Sequence, residues 1–186
     1  MFEEISGLPL HPLAVHAPLV LVPLLIAVAV GYAVVPPLRR WLGWTAVVLG
    51  LLAPVSVWVA RASGNAFRDR LAARDQLPPE LASKVAEHAA LSLTLLWLVA
   101  GLGLVAIGMV VLAAGLRVGS RRAAAAADPD GTVAVSAGQG GTAVRRTGAT
   151  VVWILFAVAV LALSAGVGWY LIQTGDSGAQ MVWEGS

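Results

Sequence analysis

The 186-residue sequence contains no cysteine, and that absence alone removes disulfides, thiolate zinc sites, iron–sulphur clusters and covalently attached haem from what the chain binds by itself. Charge is scarce as well. Only 12% of residues are charged against 59% apolar, and a mean hydropathy of +0.84 lies far outside the range of soluble domains. The few charges sit at the ends and connections of apolar runs, so a pI near 9.7 does not mark a nucleic-acid surface, and no nucleic-acid partner is expected. There is no GxSxG, phosphate loop, HExxH or CxxC, which leaves no sign of a catalytic activity of its own. No apolar run carries a charged residue at its centre. This speaks against an ion-coupled transporter, where such residues line the path.

What the sequence does have is four apolar runs, near 12–35, 41–60, 89–116 and 149–172. Each is long enough to cross a hydrocarbon core of about 30 Å, which takes roughly 20 helical residues. A lone apolar strand would leave its peptide groups unpaired in lipid, and none of the runs shows the alternation of a porin strand, so all four are expected to be helices. The reading is an all-α integral membrane four-helix bundle, up-down in topology, forming a single domain over 1–186 in contact with the lipid bilayer. Glu3 and Glu4 precede the first run, which is also too long for the core of a cleaved signal peptide, so it is expected to remain as a span. Arg39 and Arg40 in the first connection and Arg117, Arg121, Arg122, Arg145 and Arg146 in the third make seven basic residues, against five elsewhere. By the excess of basic residues on the cytoplasmic side, both termini are expected on the outer face of a multi-pass protein of the cell membrane.

Local signals refine this picture. Pro18 and Pro23 each remove a hydrogen bond inside the first span and should bend it, whereas Pro12 fits a first helical turn. Trp41 and Trp44 follow the basic connection as interfacial anchors. The second connection, 61–87, predicts a short surface helix near 66–74, then a new helix from Pro78-Pro79-Glu80 that runs unbroken into span three. Gly101, Gly108 and Gly115, with Ala162/Gly166 and Ser164/Gly168, predict close packing of spans three and four. The 117–148 connection, rich in Ala, Gly and Ser, is expected to be a flexible cytoplasmic loop, with a small hairpin between 132–135 and 142–144 as an outside candidate. Two glycines around Asp176 predict a turn that folds Met181, Val182 and Trp183 back onto the membrane surface.

Candidate chemistry gathers at one rim. If the spans alternate in direction, the starts of spans one and three and the end of span four share a leaflet, which brings His11, His16, His88 and Asp176 to the outer face. His11 and His16 are five residues apart, about 140° on an unbroken helix, so they do not form an i, i+4 chelate unless the prolines distort it. His16, one turn inside the span, and His88, at comparable depth on span three, are the candidate axial ligands of haem b. His11, His16, His88 and Asp176 are the candidate ligands of a divalent transition metal, with Glu87 as another nearby carboxylate. The plainer reading makes each histidine an interfacial polar residue, or the donor to a carbonyl that proline has freed. pH sensing by imidazole is a third.

Gly7-Leu8-Pro9-Leu10-His11-Pro12 with Val15-His16, His88 heading span three, and Thr174-Gly175-Asp176-Ser177-Gly178-Ala179 with Val182-Trp183 resemble the bacterial membrane proteins grouped as domain-of-unknown-function family 2231. The likeness spans nearly the whole chain except 117–148. It implies a four-span protein of no established activity, some of whose relatives are joined to Rieske-type iron–sulphur domains, and hence a link to membrane redox chemistry. It points to His11, His16 and His88 as functional positions. Relatives often have histidine where this chain has Asp176. The expected function is a haem- or transition-metal-binding redox accessory, partnered by redox membrane proteins or by further copies of itself. The alternative is a cofactor-free structural or assembly subunit.

Overall fold

The structure, a computed structural model, describes residues 4–5, 8–125 and 139–183. A two-residue antiparallel pairing of β1 (Glu4–Ile5) with β2 (Leu8–Pro9) precedes the helices. The rest is α-helix and short connection: α1 (Leu10–Ala14), α2 (His16–Val34), a 3-10 turn at Pro36–Leu38, α3 (Arg39–Ala73), α4 (Pro79–Ala125) and α5 (Gln139–Trp183). Four helices are long and apolar enough to cross a membrane: His16–Val34, Pro36–Ala73 including the 3-10 turn, Pro79–Arg122 and Thr147–Met181.

Each of α2 to α5 packs on its sequence neighbour, and α5 closes back onto α2. The core lies at helical spacing on the inward stripes: Val22, Leu25, Ala29 and Tyr32 on α2, Ala46, Leu49, Ala53 and Val57 on α3, Leu95, Val99, Leu102, Ala106 and Met109 on α4, Val160 and Val167 on α5. The outward faces are apolar too, with Trp97, Leu104, Leu155 and Ile172 all more than half exposed. Such a surface would be unstable in water and suits hydrocarbon.

Proline sets the local breaks. Pro18 cannot offer an N–H to the Ala14 carbonyl, and the chain turns at Val15, dividing α1 from α2. Pro36 and Pro37 do the same to the carbonyls of Tyr32 and Ala33. Arg39 makes good both losses, with Nε donating to the Tyr32 carbonyl at 3.0 Å and Nη2 to the Ala33 carbonyl at 3.0 Å. The same guanidinium lies 3.8 Å from the centre of the Trp153 ring, whose Nε1 donates to the Ala33 carbonyl at 3.3 Å. One arginine thus caps α2 and ties α5 to it.

Several expectations about connections are corrected. The surface helix near 66–74 is the projecting end of α3, which continues unbroken from Arg39. It stops at a left-handed Asp75, φ 58°, with Gln76 N–H bonded to the Leu71 carbonyl and Asp75 N–H to that of Ala72. α4 then starts at Pro79 and runs through span three, as Pro78-Pro79-Glu80 predicts. Of the small hairpin, 132–135 lies outside the described residues, and 142–144 is helical within α5. No turn occurs at Asp176. α5 passes through it to Trp183, its polar side chains bonded along the helix: Thr174 Oγ1 to the Tyr170 carbonyl at 2.7 Å, Ser177 Oγ to the Thr174 carbonyl at 3.0 Å, Gln180 to Asp176 at 3.0 Å.

The glycine expectations hold in part. Gly101 and Gly108 face Leu163 and Phe156 of α5, and Gly166 faces Leu98 of α4, so small residues on each helix receive large ones from the other. Gly115 and Gly168 have nothing within 4 Å of where a Cβ would stand. Among the described glycines the closest approach to another backbone is elsewhere, between Gly50 of α3 and Gly103 of α4.

Candidate functional site

The alternation of helices brings the start of α2, the end of α3, the start of α4 and the end of α5 to one rim. The α1 turn docks on α3 there. His11 lies against that helix with Nδ1 3.1 Å from the Ala60 carbonyl and 3.2 Å from Ser63 Oγ, and its ring stacks on Phe67 at a centroid distance of 6.5 Å. The Ser63 hydroxyl gives its own proton to the Ala60 carbonyl at 2.8 Å, so it accepts from the imidazole. Nδ1 therefore carries the hydrogen, and the neutral ring keeps its lone pair on Nε2.

His88 repeats the arrangement on the other helical pair. Its Nδ1 is 2.9 Å from Ser177 Oγ, and that hydroxyl donates to the Thr174 carbonyl. The parallel extends to the next residue. A Cβ at Gly64 would stand 3.0 Å from His11 Cε1, and one at Gly178 3.4 Å from His88 Cε1. Ser63-Gly64 and Ser177-Gly178 thus form two matching cradles, one near the end of each returning helix. In each, a serine fixes the tautomer and a glycine faces the ring, but only at Gly64 would a Cβ crowd it.

Arg61 crosses between these halves. It stands next to Ala60 on α3, and its Nη1 donates to the Ala89 carbonyl and, at 2.8 Å, to Ser92 Oγ, joining α3 to α4 beside and one turn beyond His88. Neither Arg61, Ser92 nor the paired Ser-Gly cradles is singled out by sequence reasoning. The signal available was the recurrence of Ser-Gly at 63–64 and 177–178, near the ends of spans two and four.

The expected site residues are divided by this geometry. His11 and His88 are half-buried in the rim, whereas His16 opens α2 on its exposed side, and Asp176 is exposed and bonded to Gln180. Depth in the span favoured His16, but the chain break at Val15 turns His11 inward instead. Glu87 is also exposed. Among the described residues no group of three or more His, Cys, Asp or Glu is placed to hold a metal ion.

Burial pushes the His11 imidazole below its ordinary value of 6.5, partly opposed by the bond to the Ala60 carbonyl. The unfolded chain then binds the proton more readily than the folded one, so stability is complete above about pH 6.5 and falls as pH drops below it. Thermal unfolding in detergent is expected to show a lower midpoint at pH 5 than at pH 8, and His11→Gln should flatten that slope. A slope unchanged in the variant would remove His11 as its source.

No family model, curated protein or solved structure matches this chain.

Proposed function

We propose that this protein is a membrane redox accessory that holds haem b between His11 and His88. One observation carries the reading: both imidazoles donate from Nδ1 to the protein, which leaves two Nε2 lone pairs at one rim of a membrane bundle. Two donors are too few for a divalent ion in an all-protein cage, which needs four or more. They suffice for haem iron, because the porphyrin supplies the other four nitrogens. The donor set fits in kind as well, since imidazole is an ordinary axial ligand and no thiolate is required. Bound there, haem would contribute one-electron chemistry. The chain's part is to orient the two rings through Ser63 and Ser177 and to keep both neutral.

Kinship with domain-of-unknown-function family 2231 belongs to the same proposal, as do redox membrane proteins or further copies of the chain as partners. So does an orientation in the cell membrane with the histidine rim outside. Arg39, Arg40 and Arg117 at the opposite end favour that direction.

A second reading also has a specific observation behind it. Each imidazole packs on a neighbouring helix against a glycine, Gly64 for His11 and Gly178 for His88, as a polar latch in a cofactor-free assembly subunit would. Purification from haem-replete cells with an absorption spectrum separates the two. The haem reading expects a Soret band that His11→Ala and His88→Ala each abolish and His16→Ala retains. Folded, colourless wild-type protein would establish the latch instead.

A further inference from the structure

We propose that Arg61 is the receptor for a carboxylate of the ligand held by His11 and His88, namely a haem propionate. This rests on the haem reading above and adds the group that recognises the acidic edge of the ligand. The guanidinium is part-buried at the rim, and two of its contacts place it there: the Ala89 carbonyl, adjacent to His88, and Ser92 Oγ at 2.8 Å. On its own helix it follows Ala60, whose carbonyl holds His11. It therefore stands between the two imidazole-bearing halves.

Both of those contacts use Nη1, and both partners are neutral. Among the described residues no carboxylate forms an ion pair with Arg61 within 4.0 Å. The nearest acids in sequence to His88 and Ser177, Glu87 and Asp176, are exposed. A partly desolvated cation without a counter-ion is costly, and an anion brought by a ligand offsets that cost. Arg61 also breaks the likeness of the two cradles. The position two residues before Ser63 is arginine, and the one two before Ser177 is Gly175, so only the Ser63 cradle has a cation at that position. A ligand sandwiched between two equivalent imidazoles, with an acidic edge toward one side, matches that asymmetry. A guanidinium fork suits a carboxylate better than a point charge does.

The test is a four-way absorbance titration of the full-length protein in detergent, wild type and Arg61→Gln, each with haem and with haem dimethyl ester, which lacks the free carboxylates. Wild type is expected to bind haem roughly tenfold to hundredfold more tightly than the ester. Arg61→Gln should lose most of that preference and bind the ester about as wild type does. Equal affinity of wild type for the two porphyrins would overturn the proposal while leaving axial ligation by His11 and His88 standing. An Arg61→Gln loss of the same size for both porphyrins would also overturn it, assigning Arg61 to the joining of α3 and α4 alone. A wild type that gives no Soret band with either porphyrin would overturn the haem reading together with this inference.

Discussion

A single methyl group at Gly103 is expected to destabilise the bundle by about 3 kcal/mol, near the upper end of what overpacking a core costs. Pro54 lacks the N–H that would bond the Gly50 carbonyl, so that oxygen loses its ordinary helical partner in the middle of α3. The Cβ position of Gly103 points straight at this oxygen and lies 3.1 Å from the Gly50 carbonyl carbon and 3.2 Å from its Cα. A Gly103 Cα–H therefore faces the freed carbonyl, a weak partner that only close backbone approach makes available. In Gly103→Ala the methyl meets the backbone of Gly50 rather than a flexible side chain that could move aside, so α3 and α4 must separate. Gly101→Ala is the control. Its methyl would meet only Leu163 side-chain carbons at 3.8 and 4.0 Å, ordinary contact, and the variant is expected to stay within roughly 0.5 kcal/mol of wild type. Reversible unfolding in mixed micelles checks both. Equal stability of the two variants would show that the Gly50–Gly103 approach does not limit packing.

Gly103 also illustrates what sequence could and could not disclose. The four spans were legible because lipid demands long unbroken apolar runs, and the interleaving of α4 and α5 was legible in Gly101, Gly108 and Gly166. The Gly50–Gly103 contact was not, because it depends on which carbonyl a proline strands and on which neighbouring helix lies across from it. Helix ends were misread for a related reason. Ser, Thr, Asp and Gly in the tail signal a turn when they stand alone. In α5 Thr174 and Ser177 bond back to carbonyls of their own helix, and Gly178 lies against the His88 ring within an unbroken helix. Likewise the charged stretch after Arg61 is solvated yet remains helical, because α3 has no breaker before the left-handed Asp75.

The candidate site was legible at the level of the rim but not of the face. Alternating spans required His11, His16 and His88 to share one end, and helical periodicity required His11 and His16 to diverge. Which of the two turns inward depends on the break at Val15, where the direction of α1 is fixed by its packing on α3 rather than by anything near it in sequence. Ser63, Ser177 and Arg61 escaped notice because serine and arginine near a span end are ordinary interfacial residues until a partner on another helix gives them a role.

Loss of the Arg39 side chain is expected to cost about 3 kcal/mol, from two charge-assisted hydrogen bonds and one cation–π contact. The magnitude follows from what remains behind. Arg39→Ala returns the carbonyls of Tyr32 and Ala33 to the state Pro36 and Pro37 left them in, with only Trp153 Nε1 still reaching Ala33, and frees α5 from one of its ties to α2. Arg39→Lys should recover less than half, since an ammonium cannot present the fork that reaches two successive carbonyls or stack flat on indole. Arg40→Ala provides the discriminating comparison. Arg40 is exposed, with its guanidinium 5.1 Å from the centre of the Trp41 ring, and its loss is expected to cost roughly 0.5 kcal/mol. Both variants remove one positive charge from the same connection, so any effect on membrane orientation is common to them. The difference in unfolding free energy therefore isolates the cap, and a difference near zero would mean that the two proline-stranded carbonyls find other partners.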